Sequence, residues 1–229
     1  GDYHTMIDSM EVMEGQTMEM TAMLSPNVMA PYDMTADPMV GGIDLNWAMG
    51  GSGGEFFDDF ETYEDFVMEF DPWTLVDVDG SATYGFSGIT FPNSGSEMAY
   101  IIFNPSQTTP ALEETPHSGD KFAACFASTT PPNDDWMISP ATGVDVGTEL
   151  NFWARSYVAD YGLERFRVAV STTGTDPDDF TVISEGDYIE APVEWTNYVY
   201  DLSDYAGQDI HVGIQCVSHD AFIFFVDDV

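Results

Sequence analysis

The sequence predicts an all-β chain built around an antiparallel β-sandwich of jelly-roll type. Three observations carry that expectation: apolar residues alternate with polar ones over short runs, turn-forming clusters separate those runs, and no segment shows a convincing helical period. The clearest period-two runs are Glu149-Leu150-Asn151-Phe152-Trp153-Ala154-Arg155, Phe166-Arg167-Val168-Ala169-Val170 and Ile210-His211-Val212-Gly213-Ile214-Gln215-Cys216. Between such runs fall Asn104-Pro105-Ser106-Gln107-Thr108-Thr109-Pro110 and Thr172-Thr173-Gly174-Thr175-Asp176-Pro177, whose residues suit the tight backbone of turns.

Taken in chain order, residues 1–25 read as a β-hairpin fragment turning at Glu14-Gly15. Met18, Met20, Ala22 and Leu24 share one face of its second strand, and Met10 and Val12 lie in the first. An isolated two-stranded hairpin is marginal in water, so this apolar face needs a partner. Residues 26–55 contain two further strand-like runs, Ala30 to Ala36 and Ile43 to Trp47, before the flexible hinge Gly50-Gly51-Ser52-Gly53-Gly54. Residues 56–229 hold one complete sandwich domain, long enough to bury roughly 70% of the surface exposed by the unfolded chain. A disulfide framework is therefore not required for its core.

Charge narrows the range of partners. Four Lys plus Arg against 41 Asp plus Glu give a formal net charge of −37. All the cations, Lys121, Arg155, Arg165 and Arg167, fall in one central stretch. Most carboxylates must then be screened from outside the chain, by salt or by bound divalent cations. Nucleic acid is excluded as a partner by like charge, and an anionic membrane surface is excluded unless calcium bridges the two. No run of 18 apolar residues exists, so no membrane-spanning helix is expected. Gly1 opens directly in patterned sequence, and the expectation is of a chain already cut from its export signal.

The order of several strand-end landmarks resembles a known family. Asp71-Pro72-Trp73-Thr74-Leu75-Val76-Asp77-Val78-Asp79-Gly80 lies near the start, followed by Asn133-Asp134-Asp135-Trp136-Met137-Ile138-Ser139-Pro140 and Ser171-Thr172-Thr173-Gly174. Asp201-Leu202-Ser203-Asp204-Tyr205-Ala206-Gly207-Gln208 and Phe225-Val226-Asp227-Asp228-Val229 complete the series. Over roughly residues 56–229 this resembles the cleaved-adhesin, or choice-of-anchor J, modules of bacterial surface proteins, relatives of the MAM-type jelly roll. Residues 1–25 resemble closing strands of an immunoglobulin-like domain, and residues 26–55 the first strands of a fibronectin type III domain. The resemblance implies a jelly roll carrying an N-terminal extension of partial immunoglobulin-like strands, placed outside the cell or on its surface.

Two functions follow as expectations. Incomplete N-terminal strands suggest a structural filament subunit, assembling head to tail by strand addition through Met10, Val12, Met18, Met20 and Leu24, with copies of itself or other surface proteins as partners. Those strands could instead fold back on the jelly roll, or be parts of domains cut in mid-domain. The family resemblance suggests instead a calcium-stabilised adhesion or carbohydrate-binding module.

Structural calcium is the expected cofactor. Asp77-Val78-Asp79-Gly80 places two carboxylates on one side of a turn that resembles the family's acidic turn, with Ser81 standing where a further Asp is usual. The resemblance also implies an ion where the first and last strands meet, from Glu61 with Asp227 or Asp228. Tyr157 and Tyr161, in a polar loop beside Asp160, are the candidate glycan platform. Cys125 and Cys216 both lie in strand-like runs, and either a disulfide or two buried thiols fits their neighbours.

No catalytic role is expected. His4, His117, His211 and His219 are scattered without metal-ligand spacing, and neither a nucleophile elbow nor a phosphate loop is present.

Overall fold

The computed structural model describes residues 56–229 and, before them, only the backbone of β1 (Tyr32–Met39) and β2 (Gly42–Ala48). The predicted hairpin carrying Met10, Val12, Met18, Met20 and Leu24 lies outside the described residues. β1 and β2 pair antiparallel, from Met39 opposite Gly42 to Tyr32 opposite Ala48, with one irregularity between Tyr32 and Thr35. The two runs expected to be strands in 26–55 thus form one hairpin. Residues 1–51 and 52–229 are separate compact units.

The second unit is a sandwich of two antiparallel sheets, as expected. Its strands in order are β3 (Thr74–Asp77), β4 (Ile101–Phe103), β5 (Phe122–Phe126), β6 (Asp135–Ile138) and β7 (Thr142–Gly143). They continue with β8 (Glu149–Ser156), β9 (Glu164–Ser171), β10 (Thr181–Val182), β11 (Ile189–Ala191), β12 (Thr196–Asp201), β13 (Asp209–Cys216) and β14 (Ile223–Asp227). One sheet runs β10-β9-β13-β6-β3, with β11 also on β9 and β7 on β13; the other runs β12-β8-β14-β5-β4.

The alternating runs become half-buried strands. Along β8, Leu150, Phe152, Ala154 and Ser156 point into the sandwich, while Asn151 and Trp153 face the other way. β5 and β14 lack alternation because both of their faces are covered. Ala123, Cys125, Phe224 and Val226 enter the core between the sheets. Phe122, Ala124, Phe126, Ile223 and Phe225 enter a second core, closed by Phe66, Phe91 and Met98 from the connecting segments. A strand buried on both faces reads as a continuous apolar run.

The first and last segments of the second unit close the sandwich. Asp58 N–H donates to the Val229 carbonyl at 2.9 Å and Val229 N–H returns the bond at 3.0 Å. The Asp58 carboxylate is itself buried and accepts from Phe60 N–H at 2.8 Å, Tyr63 O–H at 2.5 Å and Trp73 Nε1–H at 2.7 Å. This carboxylate pins the aromatic cluster of Phe60, Tyr63, Phe70 and Trp73 that leads into β3.

Substituting Asp58→Ala strands the buried Trp73 and Phe60 donors and is expected to cost about 2–3 kcal/mol, with Asp58→Asn costing less. Urea unfolding midpoints measure this; equal midpoints for wild type and Asp58→Ala would contradict the clamp.

Candidate metal centre

β3 and β6 pair antiparallel, and the register sets Asp77 directly opposite Asp135. Val78 N–H donates to the Asp134 carbonyl at 2.9 Å. The bonded positions of β3 are therefore 74, 76 and 78, and Asp77–Asp135 is a non-bonded pair. Such pairs hold their Cα atoms about 4.5 Å apart with side chains on the same face, and like charges so placed repel. Asp79 adds a third carboxylate from the turn that follows β3. Among the described residues, Asp77, Asp79 and Asp135 form the one group of three whose ligand atoms all lie within 4.8 Å of one another.

The turn is held open toward this point by its own backbone. Gly80, at φ +60°, donates its N–H to Asp77 Oδ1 at 2.6 Å. Asp79 Oδ1 accepts from Ser81 N–H at 3.0 Å and Ser128 Oγ at 3.3 Å, and Asp79 Oδ2 from Asp134 N–H at 3.0 Å. Ser81 does not join the acids; its hydroxyl meets those of Thr129 and Thr130 at 3.2 and 2.7 Å.

Asp135 is the most constrained member, at 1% exposure. Its Oδ2 accepts from Asn133 Nδ2 at 2.7 Å and from the Cys125 thiol at 3.5 Å. Its Oδ1 is buried with no hydrogen-bond partner in the protein. Burial, followed by the charges of Asp79 and Asp77, pushes the Asp135 carboxyl up to about 8, against the pull of Asn133. Burial likewise raises Asp77, with Asp79, Glu97 and Asp134 adding to the rise and the Gly80 N–H opposing it. An orphaned carboxylate oxygen beside two other carboxylates must take a proton or a cation. Hard oxygen donors from carboxylates suit calcium, with carbonyls and water completing its six to eight ligands.

The other expected ion ligands gather elsewhere. Glu61, Asp227 and Asp228 converge on the 117–121 segment, where protein donors occupy them. Glu61 Oε1 accepts from Asp120 and Lys121 N–H, both at 2.7 Å. Asp227 Oδ2 accepts from His117 and Ser118 N–H at 2.9 and 3.1 Å. Asp228 meets His117 Nδ1 at 2.5 Å and Ser118 Oγ at 2.7 Å. Burial raises Asp227 to about 8, and the adjoining Asp228 adds to the rise. Sequence reading did not single out Glu164, a buried carboxyl raised to about 7 by burial and held by Ser218 Oγ and Phe222 N–H.

Tyr157 and Tyr161 do not line up as a paired platform. Tyr157 packs edge-on against Phe86, Phe222 and Phe225, while Tyr161 stands 68% exposed over the edge of Phe222. Cys125 and Cys216 are free, buried thiols and no disulfide joins them. The two side chains lie in contact with one another, and each sulfur also meets an oxygen, Cys125 the Asp135 carboxylate at 3.5 Å and Cys216 the Ser218 hydroxyl at 3.4 Å.

No protein-family model matches the sequence. Over 175 residues the chain is 23% identical to Hemagglutinin A of Porphyromonas gingivalis, a match covering 69% of this chain and 6% of that protein. Hemagglutinin A of strain W83 is 24% identical over 177 residues, covering 69% and 7%. The chain thus spans only a small part of the curated relatives it matches. Among solved structures, the K2 cleaved adhesin domain of Lys-gingipain superposes with a TM-score of 0.56 at 18% identity, over 76% of this chain and 96% of that domain. The K1 cleaved adhesin domain of the P. gingivalis W83 protein gives 0.50 at 20% identity, over 76% and 94%. At these identities the likeness establishes the fold that the landmark order led us to expect.

Because Asp135, Asp227 and Glu164 all titrate above the ordinary carboxylate range near 4, the folded protein holds protons that the unfolded chain has released. Their contribution to stability is full below about pH 4 and is lost as pH rises toward about 8. In chelator, the thermal midpoint is expected to fall from pH 5 to pH 8, and Asp135→Asn to make that fall shallower. An identical slope for the variant would contradict the assignment of Asp135.

Proposed function

We propose, with the cleaved-adhesin fold of residues 56–229 as premise, that this chain is a non-catalytic, calcium-stabilised adhesive module of a bacterial cell surface. The observation that carries the ion is the buried, unpartnered Oδ1 of Asp135, a residue register-matched to Asp77 and grouped with it and with Asp79 of the turn. Asp77, Asp79 and Asp135 would hold the cation. Bound there, it would supply charge neutralisation and no chemistry of its own. Its mechanical effect falls on the join between the two strands and the turn at their end. The Asp134 to Trp136 stretch passes that order on, because Asp134 Oδ1 accepts from Trp136 Nε1 at 2.9 Å and from Gln215 Nε2 at 2.7 Å, reaching β13.

The adhesive part of the reading is supported by likeness to proteins named as a hemagglutinin and as cleaved adhesin domains. An external location fits those relatives and the need of a −37 chain for extracellular cations. Among the described residues no helix is long and apolar enough to cross a membrane. Head-to-tail filament assembly draws no support from these relatives. Tyr161 is the candidate of the two tyrosines for direct contact with a glycan, since it is the exposed one.

For a site of about 10 μM affinity in about 1 mM calcium, mass action adds roughly 2.7 kcal/mol to stability. Thermal unfolding of the whole chain is expected to show a higher midpoint in calcium than in chelator, and Asp135→Ala to abolish that difference. Erythrocyte binding by the purified chain is expected to follow the same calcium dependence. A midpoint indifferent to chelator would remove the structural ion, and absent erythrocyte binding in calcium would remove the hemagglutinin-like activity.

A further inference from the structure

The two sheets treat their edges differently on the side where β3 and β4 lie. The edge at β4 is covered: Phe66 N–H donates to the Ile102 carbonyl at 2.7 Å, and Ile102 N–H to the Val67 carbonyl at 3.0 Å. Among the described residues, no strand lies beyond the edge at β3. Since positions 74, 76 and 78 bond to β6, Leu75 and Asp77 direct their own N–H and C=O groups away from the sheet. β3, Thr-Leu-Val-Asp, contains neither Lys nor Pro, the usual guards of an open edge.

That edge opens onto a groove of about 710 Å³ between β3 and the 67–71 and 93–99 segments. Trp73, Leu75 and Met98 contribute its apolar lining, and Glu69, Asp71 and Glu97 line it with carboxylates. Among the described residues no basic side chain lines it, and all four Lys and Arg are already engaged. Lys121 is tied to Asp65, Arg155 to Glu114, Arg165 to Glu190, and Arg167 to the Asp187 carbonyl. We propose that this groove receives an extended, cationic segment of another protein, which adds as a strand to β3 while its Lys or Arg side chains meet the surrounding carboxylates.

Charge selects this occupant. A second copy brings −37 toward an acid-lined groove, and residues 1–120 of this chain contain no Lys or Arg. Main-chain bonds to Leu75 and Asp77 would fix register and alternate side chains would face the groove, the usual logic of strand addition. This deepens the adhesive reading by naming a partner class and rests on it for its setting.

The test uses the whole chain in calcium-containing buffer at physiological ionic strength, with fluorescence anisotropy of a labelled peptide alternating Lys and Val. A Glu-for-Lys peptide and a Lys peptide methylated on alternate backbone nitrogens serve as controls. The Lys peptide is expected to bind, and the methylated peptide to bind about tenfold more weakly for its lost main-chain bonds. The Glu peptide is expected not to bind. Leu75→Pro, which removes an outward N–H, is expected to weaken the Lys peptide about tenfold. The double variant Glu69→Gln/Glu97→Gln leaves the backbone alone and is expected to weaken it severalfold, which keeps the test decisive if Leu75→Pro fails to fold.

Equal binding of methylated and unmethylated peptides, or binding unchanged in the double variant, would reduce the interaction to general attraction by an acidic surface and overturn the proposal. So would a self-dimer in light scattering that Leu75→Pro abolishes, since a second copy would then own the edge. Erythrocyte binding that persists while the Lys peptide fails to bind would discard the groove and leave the adhesive reading standing.

Discussion

The fold depends on resolving the repulsion between Asp77 and Asp135, placed face to face across β3 and β6 by backbone register. Neither acid can slide away. A shift of one residue along β3 would turn every side chain of that strand to the opposite face, and Asp135 is further held by Asn133, whose Nδ2 also bonds the Phe126 carbonyl at 2.9 Å. The strands therefore fix a point of concentrated negative charge at the sandwich's end, and the chain offers no cation to meet it. A proton answers that need below about pH 8, and a bound divalent ion, as proposed above, would answer it by displacing that proton.

The rest of the molecule handles acidity differently. Elsewhere the buried carboxylates are satisfied by N–H and O–H groups: Asp58 by three donors, Asp227 by the 117–118 amides, Glu164 by Ser218 and Phe222. The basic residues serve mainly to fasten loops. Lys121 Nζ reaches the Tyr63 carbonyl at 2.5 Å, and Arg155 bonds the Val193 carbonyl at 3.0 Å while lying over the Trp195 and Phe225 rings at 5.3 and 5.2 Å. Against this pattern the Asp135 Oδ1 stands out. It is the one carboxylate oxygen among the described residues that is buried without a partner.

Much of this was legible in the sequence, and the reasons differ by element. The alternation in β8, β9 and β13 was readable because one face of each looks into the sandwich. The turn after β3 was readable because two Asp residues precede a Gly that takes positive φ. The third carboxylate was not. Asp135 stood in view as part of a landmark, Asn133-Asp134-Asp135-Trp136, yet its partnership with Asp77 is a fact of register between distant strands, which local pattern does not contain. The second core was hidden for a related reason: the apolar runs of β5 and β14 signal burial on both faces without saying that connecting segments, rather than another sheet, supply the cover.

We propose that a divalent cation sits between Asp77, Asp79 and Asp135. A crystal structure of the chain grown in calcium, with anomalous scattering recorded, tests it most directly. A bound calcium ion would give an anomalous peak with Asp135 Oδ1 and oxygens of the other two acids at about 2.3–2.6 Å. Density for water alone at that point, with Asp135 protonated at neutral pH and calcium in excess, would contradict it.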